Sequence, residues 1–160
     1  MEFHGNITAL VTPFVGGAFD QEGFRENIRR QLRAGVDGLL ALGTTGEGSA
    51  LSTDERLEVS RLLIDEAKGK TALLVQTGDL STKQTIEKTA GAEKLGFDGV
   101  VVITPYYNRP PQEGLLSHFR SIARSTTLPI LLYNNPVRTG VHLELSTLLA
   151  LAEEENIVGI

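Results

Sequence analysis

Two threonines set between glycines, Gly43-Thr44-Thr45-Gly46, with Glu47 following, form the segment of this sequence best suited to holding a small anion. Glycine lets the backbone approach a ligand closely, and N–H groups beside hydroxyls make an oxygen-binding nest suited to a carboxylate. Taken alone, the turn is at least as well explained as a polar loop whose threonines satisfy backbone groups. Further groups that could do chemistry are Tyr106 and Tyr107, Tyr133, and Arg138, five residues beyond Tyr133. A phenol can give or take a proton, and a guanidinium can fork onto a carboxylate. Singly, a strand-end tyrosine is usually a core residue with a wet hydroxyl. A tyrosine pair after Thr-Pro is usually loop packing or a subunit contact, and a lone arginine a solvated charge.

The elements around these groups repeat one grammar. NITALVT reads as a first strand and FVGGAFD as a loop, with Asp20 capping a helix that carries Phe24, Ile28 and Leu32 on one stripe and ends near Gly35. DGLLAL is the second strand; Ser52 and Glu55 make a capping box for a helix that stops near Gly69. TALLVQT is the third strand, and Ser81 with Gln84 forms a second box for a helix running to Leu95-Gly96. DGVVVIT, helix GLLSHFRSIARS, strand PILLYN, helix LELSTLLALAEEE and the start of a sixth strand, NIVGI, complete the chain. The strands are short, continuous apolar runs, the pattern of a parallel sheet covered by helices. Strand then helix, repeated, means right-handed βαβ units and either an open doubly wound sheet or a closed barrel. A closed barrel typically takes about 250 residues, and the chain ends inside an apolar strand. The expected fold is therefore a (β/α)8 TIM barrel of which residues 1–160 supply strands 1–5 with their helices and the start of strand 6, as the N-terminal part of a single domain. In such folds the chemistry sits at the C-terminal ends of strands, and the threonine turn, the tyrosines and Arg138 all fall there.

Composition excludes other classes. The chain has 160 residues, 41% hydrophobic and 22% charged, with a net charge of −5 and no cysteine. Nucleic acid and anionic membranes are poor partners for that charge, and disulfides and thiolate metal sites are ruled out. His4, His118 and His142 show no metal-ligand spacing. No apolar run is long enough to span a bilayer, and the N-terminus lacks the form of a secretory signal, so a cytoplasmic protein is expected. No Walker loop or dinucleotide fingerprint is visible. Asp79 and Glu47 are too scattered to suggest a glycosidase pair.

Together NITALVTPF, GTTGEGSALS, TPYYNRPPQEG and LYNNPVRTG resemble the dihydrodipicolinate synthase and N-acetylneuraminate lyase family, in order and along nearly the whole chain. GTTGE, TPYYNRPPQEG and Arg138 look like the synthase branch; the sugar-acid aldolases tend to carry a non-basic residue at 138. Asn135 is less usual, since many members are apolar there. The resemblance implies a lyase that forms a Schiff base between pyruvate and a lysine and condenses it with L-aspartate-4-semialdehyde to 4-hydroxy-tetrahydrodipicolinate, a step towards diaminopimelate and lysine. It implies Tyr133 as proton donor and acceptor, Thr44 linking Tyr133 to Tyr107 in a relay, Thr45 on the pyruvate carboxylate and Arg138 on the carboxylate of the second substrate. It implies no cofactor beyond the covalent imine, and a homotetramer, a dimer of dimers, with Tyr107 crossing the tight interface. A pyruvate aldolase acting on N-acetylneuraminate or a keto-deoxy sugar acid, and a non-catalytic barrel fragment, are the alternatives.

The nucleophilic lysine is expected directly after Ile160. Lys68, Lys70, Lys83, Lys88 and Lys94 all lie on or just after helices, where none is expected to reach the strand ends. A fragment, a truncation and a modified lysine at 161 are three readings of the ending. At the positions where lysine-inhibited bacterial members favour His, Asn and Glu, this chain has Arg56, Leu80 and Gln84. The missing acidic group at 84 implies weak or absent feedback inhibition.

Overall fold

The structure, a computed structural model, describes residues 3–160; the first two residues of the expected domain lie outside the described residues. The chain divides into two compact units, one running to Gln76 and including Leu95–Asp98, the other comprising Thr77–Lys94 and Gly99–Ile160.

In the first unit, β1 (Ile7–Ala9), β4 (Gly38–Ala41) and β5 (Ala72–Gln76) are parallel, with β1 paired to β4 and β4 to β5. Between β1 and β4 lies a two-stranded hairpin, β2 (Phe14–Val15) and β3 (Ala18–Phe19), in place of the expected loop. Gly16 and Gly17 both have positive φ (60° and 82°), which the tightest hairpin turn demands, and Phe14 pairs across it with Phe19. Helix α1 (Gln21–Arg33) starts where Asp20 accepts from Gly23 N at 3.0 Å and buries Phe24 and Ile28, with Leu32 half-buried. Helix α2 (Thr53–Ala67) has the predicted capping box complete in both directions.

In the second unit, β6 (Gly99–Ile103), β7 (Ile130–Tyr133) and β8 (Ile157–Gly159) are parallel in that order. Helix α3 is Thr82–Leu95, α4 Gln112–Ala123, α5 a single turn at Pro136–Thr139, and α6 Leu145–Leu151. Where a second capping box is predicted, the bonds run instead through Asp79, which accepts from Leu80 N (2.7 Å), and Thr85, whose hydroxyl donates to the Ser81 carbonyl (3.0 Å). The last helix is shorter than predicted. Arg120 of α4 binds the Ala150 carbonyl (3.2 Å) and Glu154 (3.1 Å), and Glu154 N turns back to Leu151 O. That takes the hydrogen bond which would have carried the helix on.

A four-residue signature, Gly-x-Asp-Gly, leads into both β4 and β6. The first glycine ends the preceding helical segment in the left-handed region (Gly35 φ 72°, Gly96 φ 86°). The aspartate then accepts a backbone N–H at the start of the preceding main strand: Asp37 from Asn6 at 2.7 Å, Asp98 from Leu73 at 2.8 Å. Strand register is thereby pinned at the N-terminal ends, leaving the opposite ends for loops. Among the described residues no helix is long and apolar enough to cross a membrane, and no group of His, Cys, Asp and Glu could hold a metal ion.

Candidate active site

The threonine turn follows β4 directly. Gly46 N and Gly48 N donate to Gly43 O (3.1 and 3.3 Å), and Glu47 N to Thr44 O (3.1 Å). Three of the turn's N–H groups are therefore spent on the turn itself. The nest expected from sequence narrows to Thr44 and Thr45, whose N–H groups take no part in these bonds and whose side chains are exposed. The glycines serve packing: a Cβ at Gly46 would lie 2.8 Å from Leu10 O, and one at Gly48 would collide with the Leu42 carbonyl. Gly43 is under no such pressure, since its Cβ would meet only Leu40 at 3.5 Å. The left-handed residues are Leu42 (φ 59°) and Glu47 (φ 51°), one at each end of the turn. Thr12, just beyond β1, donates to Gly46 O at 2.7 Å. Arg56 of α2 holds the far side, binding Gly48 O and, at 3.1 Å, Gln76 O. Neither Gly48 nor Arg56 is legible as part of this turn from sequence: Gly48 matters through the backbone carbonyl of Leu42, and Arg56 through those of Gly48 and Gln76.

In the second unit Tyr133 is the last residue of β7 and is half-buried. Its phenol oxygen accepts a hydrogen bond from Asn135 Nδ2 at 2.8 Å. Asn135 also begins α5, where its carbonyl receives Arg138 N and the Thr139 hydroxyl, both at 3.0 Å. Pro136 sets the first helical position and Gly140 (φ 73°) closes the turn. The exposed Arg138 is in no ion pair among the described residues. A second cation stands beside this turn: the Arg109 guanidinium lies against Gly140, 2.6 Å from where a Cβ would be. Arg109, unlike Arg138, gave no signal in the sequence. Asn135 thus links the Tyr133 phenol, through its side chain, to the backbone of Arg138.

Tyr107 is not drawn into that group. It is 86% exposed and, like Arg109, sits in the left-handed region (φ 70° and 47°). Two non-glycine residues held there within one loop is an uncommon strain that surrounding structure must maintain.

Of the titratable groups near strand ends, Asp79 is held below the usual carboxylate range: partial burial opposes ionisation, but the bond and charge of Lys88 outweigh it. Lys88 thereby departs from the expectation that no lysine reaches a strand end, since Asp79 lies in the loop that follows β5. His118 is 5% exposed, and burial pushes its pKa down to about 4.

Residues 2–160 match the family model described as the dihydrodipicolinate synthetase family. The chain belongs to that family. A curated 4-hydroxy-tetrahydrodipicolinate synthase from Pelobacter propionicus is 46% identical over 158 residues, which is 99% of this chain and 54% of the relative. The crystal structure of dihydrodipicolinate synthase from Thermotoga maritima superposes with a TM-score of 0.97 at 43% identity, covering all of this chain and 55% of that one. The chloride-inhibited dihydrodipicolinate synthase from Acinetobacter baumannii, described as complexed with pyruvate, gives 0.95 at 42% identity over 98% of this chain and 54% of that one. The chain spans about half the length of the curated relatives it matches. It shares the TIM-barrel fold of these family members over that half.

Proposed function

We propose that the protein carrying this chain is a Schiff-base lyase that condenses pyruvate with L-aspartate-4-semialdehyde to 4-hydroxy-tetrahydrodipicolinate. The observation that carries the reading is the match of the whole chain to relatives of that name at 43–46% identity. The arginine at 138, in a helical turn that starts beside Tyr133, favours an aldehyde that itself bears a carboxylate over the neutral sugar aldehyde that a sugar-acid aldolase joins to pyruvate.

The Schiff-base lysine adds to the pyruvate ketone and expels water to give an iminium. The iminium draws electrons from the methyl group, a proton leaves, and the enamine carbon attacks the aldehyde. The substrate's own amine then closes the ring on the imine carbon and releases the lysine. Tyr133 gives and takes the protons, with Thr44 connecting it to Tyr107. A phenol with an ordinary pKa near 10 is a poor base at neutral pH, but a hydrogen-bonded chain beside a cation moves a proton without full charge separation. Thr45 holds the pyruvate carboxylate and Arg138 that of the aldehyde. The iminium itself is the electron sink, so the reaction calls for no cofactor.

The same proposal includes a cytoplasmic homotetramer, a dimer of dimers in which Tyr107 crosses the tight interface. Its exposure and strained backbone support that role. Borohydride reduction in the presence of pyruvate should trap a covalent adduct in the full-length protein. Turnover with aspartate semialdehyde but not with N-acetylneuraminate or keto-deoxy acids should follow. Absence of any trapped adduct would refute the reading.

A further inference from the structure

The side-chain oxygen of Gln76 is buried and has no hydrogen-bond partner. Gln76 is the last residue of β5, the position from which barrel strands present chemistry. Its neighbour Thr77 continues the ladder, donating N–H to Val101 O at 3.1 Å, and turns its hydroxyl to Thr89 of α3 at 2.9 Å. Side chains alternate along a strand, so Gln76 lies on the face opposite the one on which Thr77 meets α3. The pairing of Ala41 with Val75 puts Gln76 level with Leu42, where the threonine turn begins, and Arg56 binds its carbonyl together with that of Gly48. Gln76 thus belongs to the same rim as Thr44 and Thr45. A buried acceptor without a donor is rare, because it forfeits its bond to water and gains none.

We propose that Gln76 is a specificity-determining residue for the second substrate, accepting a hydrogen bond from the ammonium group of the amino aldehyde. The inference rests on the function proposed above. Of the two substrates, pyruvate at neutral pH carries only acceptors and cannot satisfy a carbonyl oxygen. The amino aldehyde carries three ammonium donors. A site with a buried acceptor placed for them rejects an aldehyde that lacks them, since the acceptor is then left unpaired.

The test compares aspartate semialdehyde with succinic semialdehyde, which lacks the ammonium, on the full-length enzyme and two variants. Gln76→Met keeps the length and removes the acceptor; Gln76→Glu keeps an acceptor. Gln76→Met should raise KM for aspartate semialdehyde by about tenfold or more, while the inhibition constant of succinic semialdehyde and borohydride trapping of pyruvate stay at wild-type values. Gln76→Glu should retain the preference for the amino aldehyde. A preference unchanged in Gln76→Met, or lost equally in both variants, overturns the inference while leaving the proposed function intact. A wild-type enzyme that traps pyruvate but does not turn over aspartate semialdehyde overturns both. Should Gln76→Met fail to fold, Gln76→Glu still decides: loss of preference with unchanged pyruvate trapping refutes the role, and retention supports it.

Discussion

Asn135 Nδ2 donates to the phenol oxygen of Tyr133 at 2.8 Å, and the same asparagine's carbonyl receives the backbone N–H of Arg138 at 3.0 Å. One residue therefore orients the proposed proton carrier and anchors the turn that carries the proposed carboxylate clamp. Asn135→Ala removes the first link and leaves the second, which is a backbone bond. The expected result is a fall in kcat of about five- to tenfold, the worth of one neutral hydrogen bond, with KM for either substrate little changed. A lowered melting temperature with unaltered kcat would make the contact purely structural.

The threonine turn depends on a glycine that carries no chemistry. Any side chain at Gly48 meets the Leu42 carbonyl, so Gly48→Ala must shift backbone on one side of the turn or the other. Overpacking of this kind costs about 1–3 kcal/mol. The same shift disturbs Thr44 and Thr45, so pyruvate trapping should slow beyond what the stability loss explains. Gly43→Ala, where the nearest atom is a flexible leucine side chain at 3.5 Å, should be close to neutral. Equal effects of the two variants, read by denaturant midpoint and trapping rate, would refute this account of the turn.

What the sequence made legible divides along the range of each interaction. The Asp20 cap, the Ser52–Glu55 box and the left-handed Gly35 are written within four residues of the helix ends they control, and the structure repeats them. The tyrosine and arginine positions were readable because strand ends were. Gly48, Arg56 and Arg109 were not, because each owes its role to a residue remote in sequence or to a backbone atom: Leu42 O, Gln76 O and Gly140 respectively. The early end of α6 was hidden for the same reason, since Arg120, thirty or more residues upstream, takes Ala150 O and Glu154.

Arg138 should act on the second substrate alone. Arg138→Ala is expected to raise KM for aspartate semialdehyde by about 10- to 100-fold, the range of a charged hydrogen-bonded contact, and to leave pyruvate trapping intact. Arg138→Lys should recover only part, because an ammonium cannot fork. A parallel rise in the KM of pyruvate would place the guanidinium elsewhere.

Feedback inhibition by lysine should be weak. Arg56 is occupied with Gly48 O and Gln76 O, and position 84 carries a neutral amide where an acidic group would pair with the inhibitor's ammonium. Gln84→Glu should strengthen inhibition in a steady-state assay. A submillimolar inhibition constant in the unmodified enzyme would contradict the prediction.

His118 gives the fold a pH dependence with a definite sign. Its ring is buried between α3 and α4, with Nδ1 2.9 Å from the Thr82 hydroxyl and Nε2 unpartnered. Burial disfavours the imidazolium, so the pKa falls to about 4 in the folded chain, against about 6.5 when unfolded. Between those values the unfolded state binds a proton that the folded state refuses. Stability is therefore fully present above the unfolded pKa and declines as pH falls from about 6.5 towards 4, by up to about 3 kcal/mol for this group. Denaturant titrations at successive pH values should show that slope in the wild type. His118→Gln should lower stability at neutral pH yet flatten the slope over that window, because the amide does not titrate. An unchanged slope in the variant would assign the acid sensitivity to the carboxylates instead.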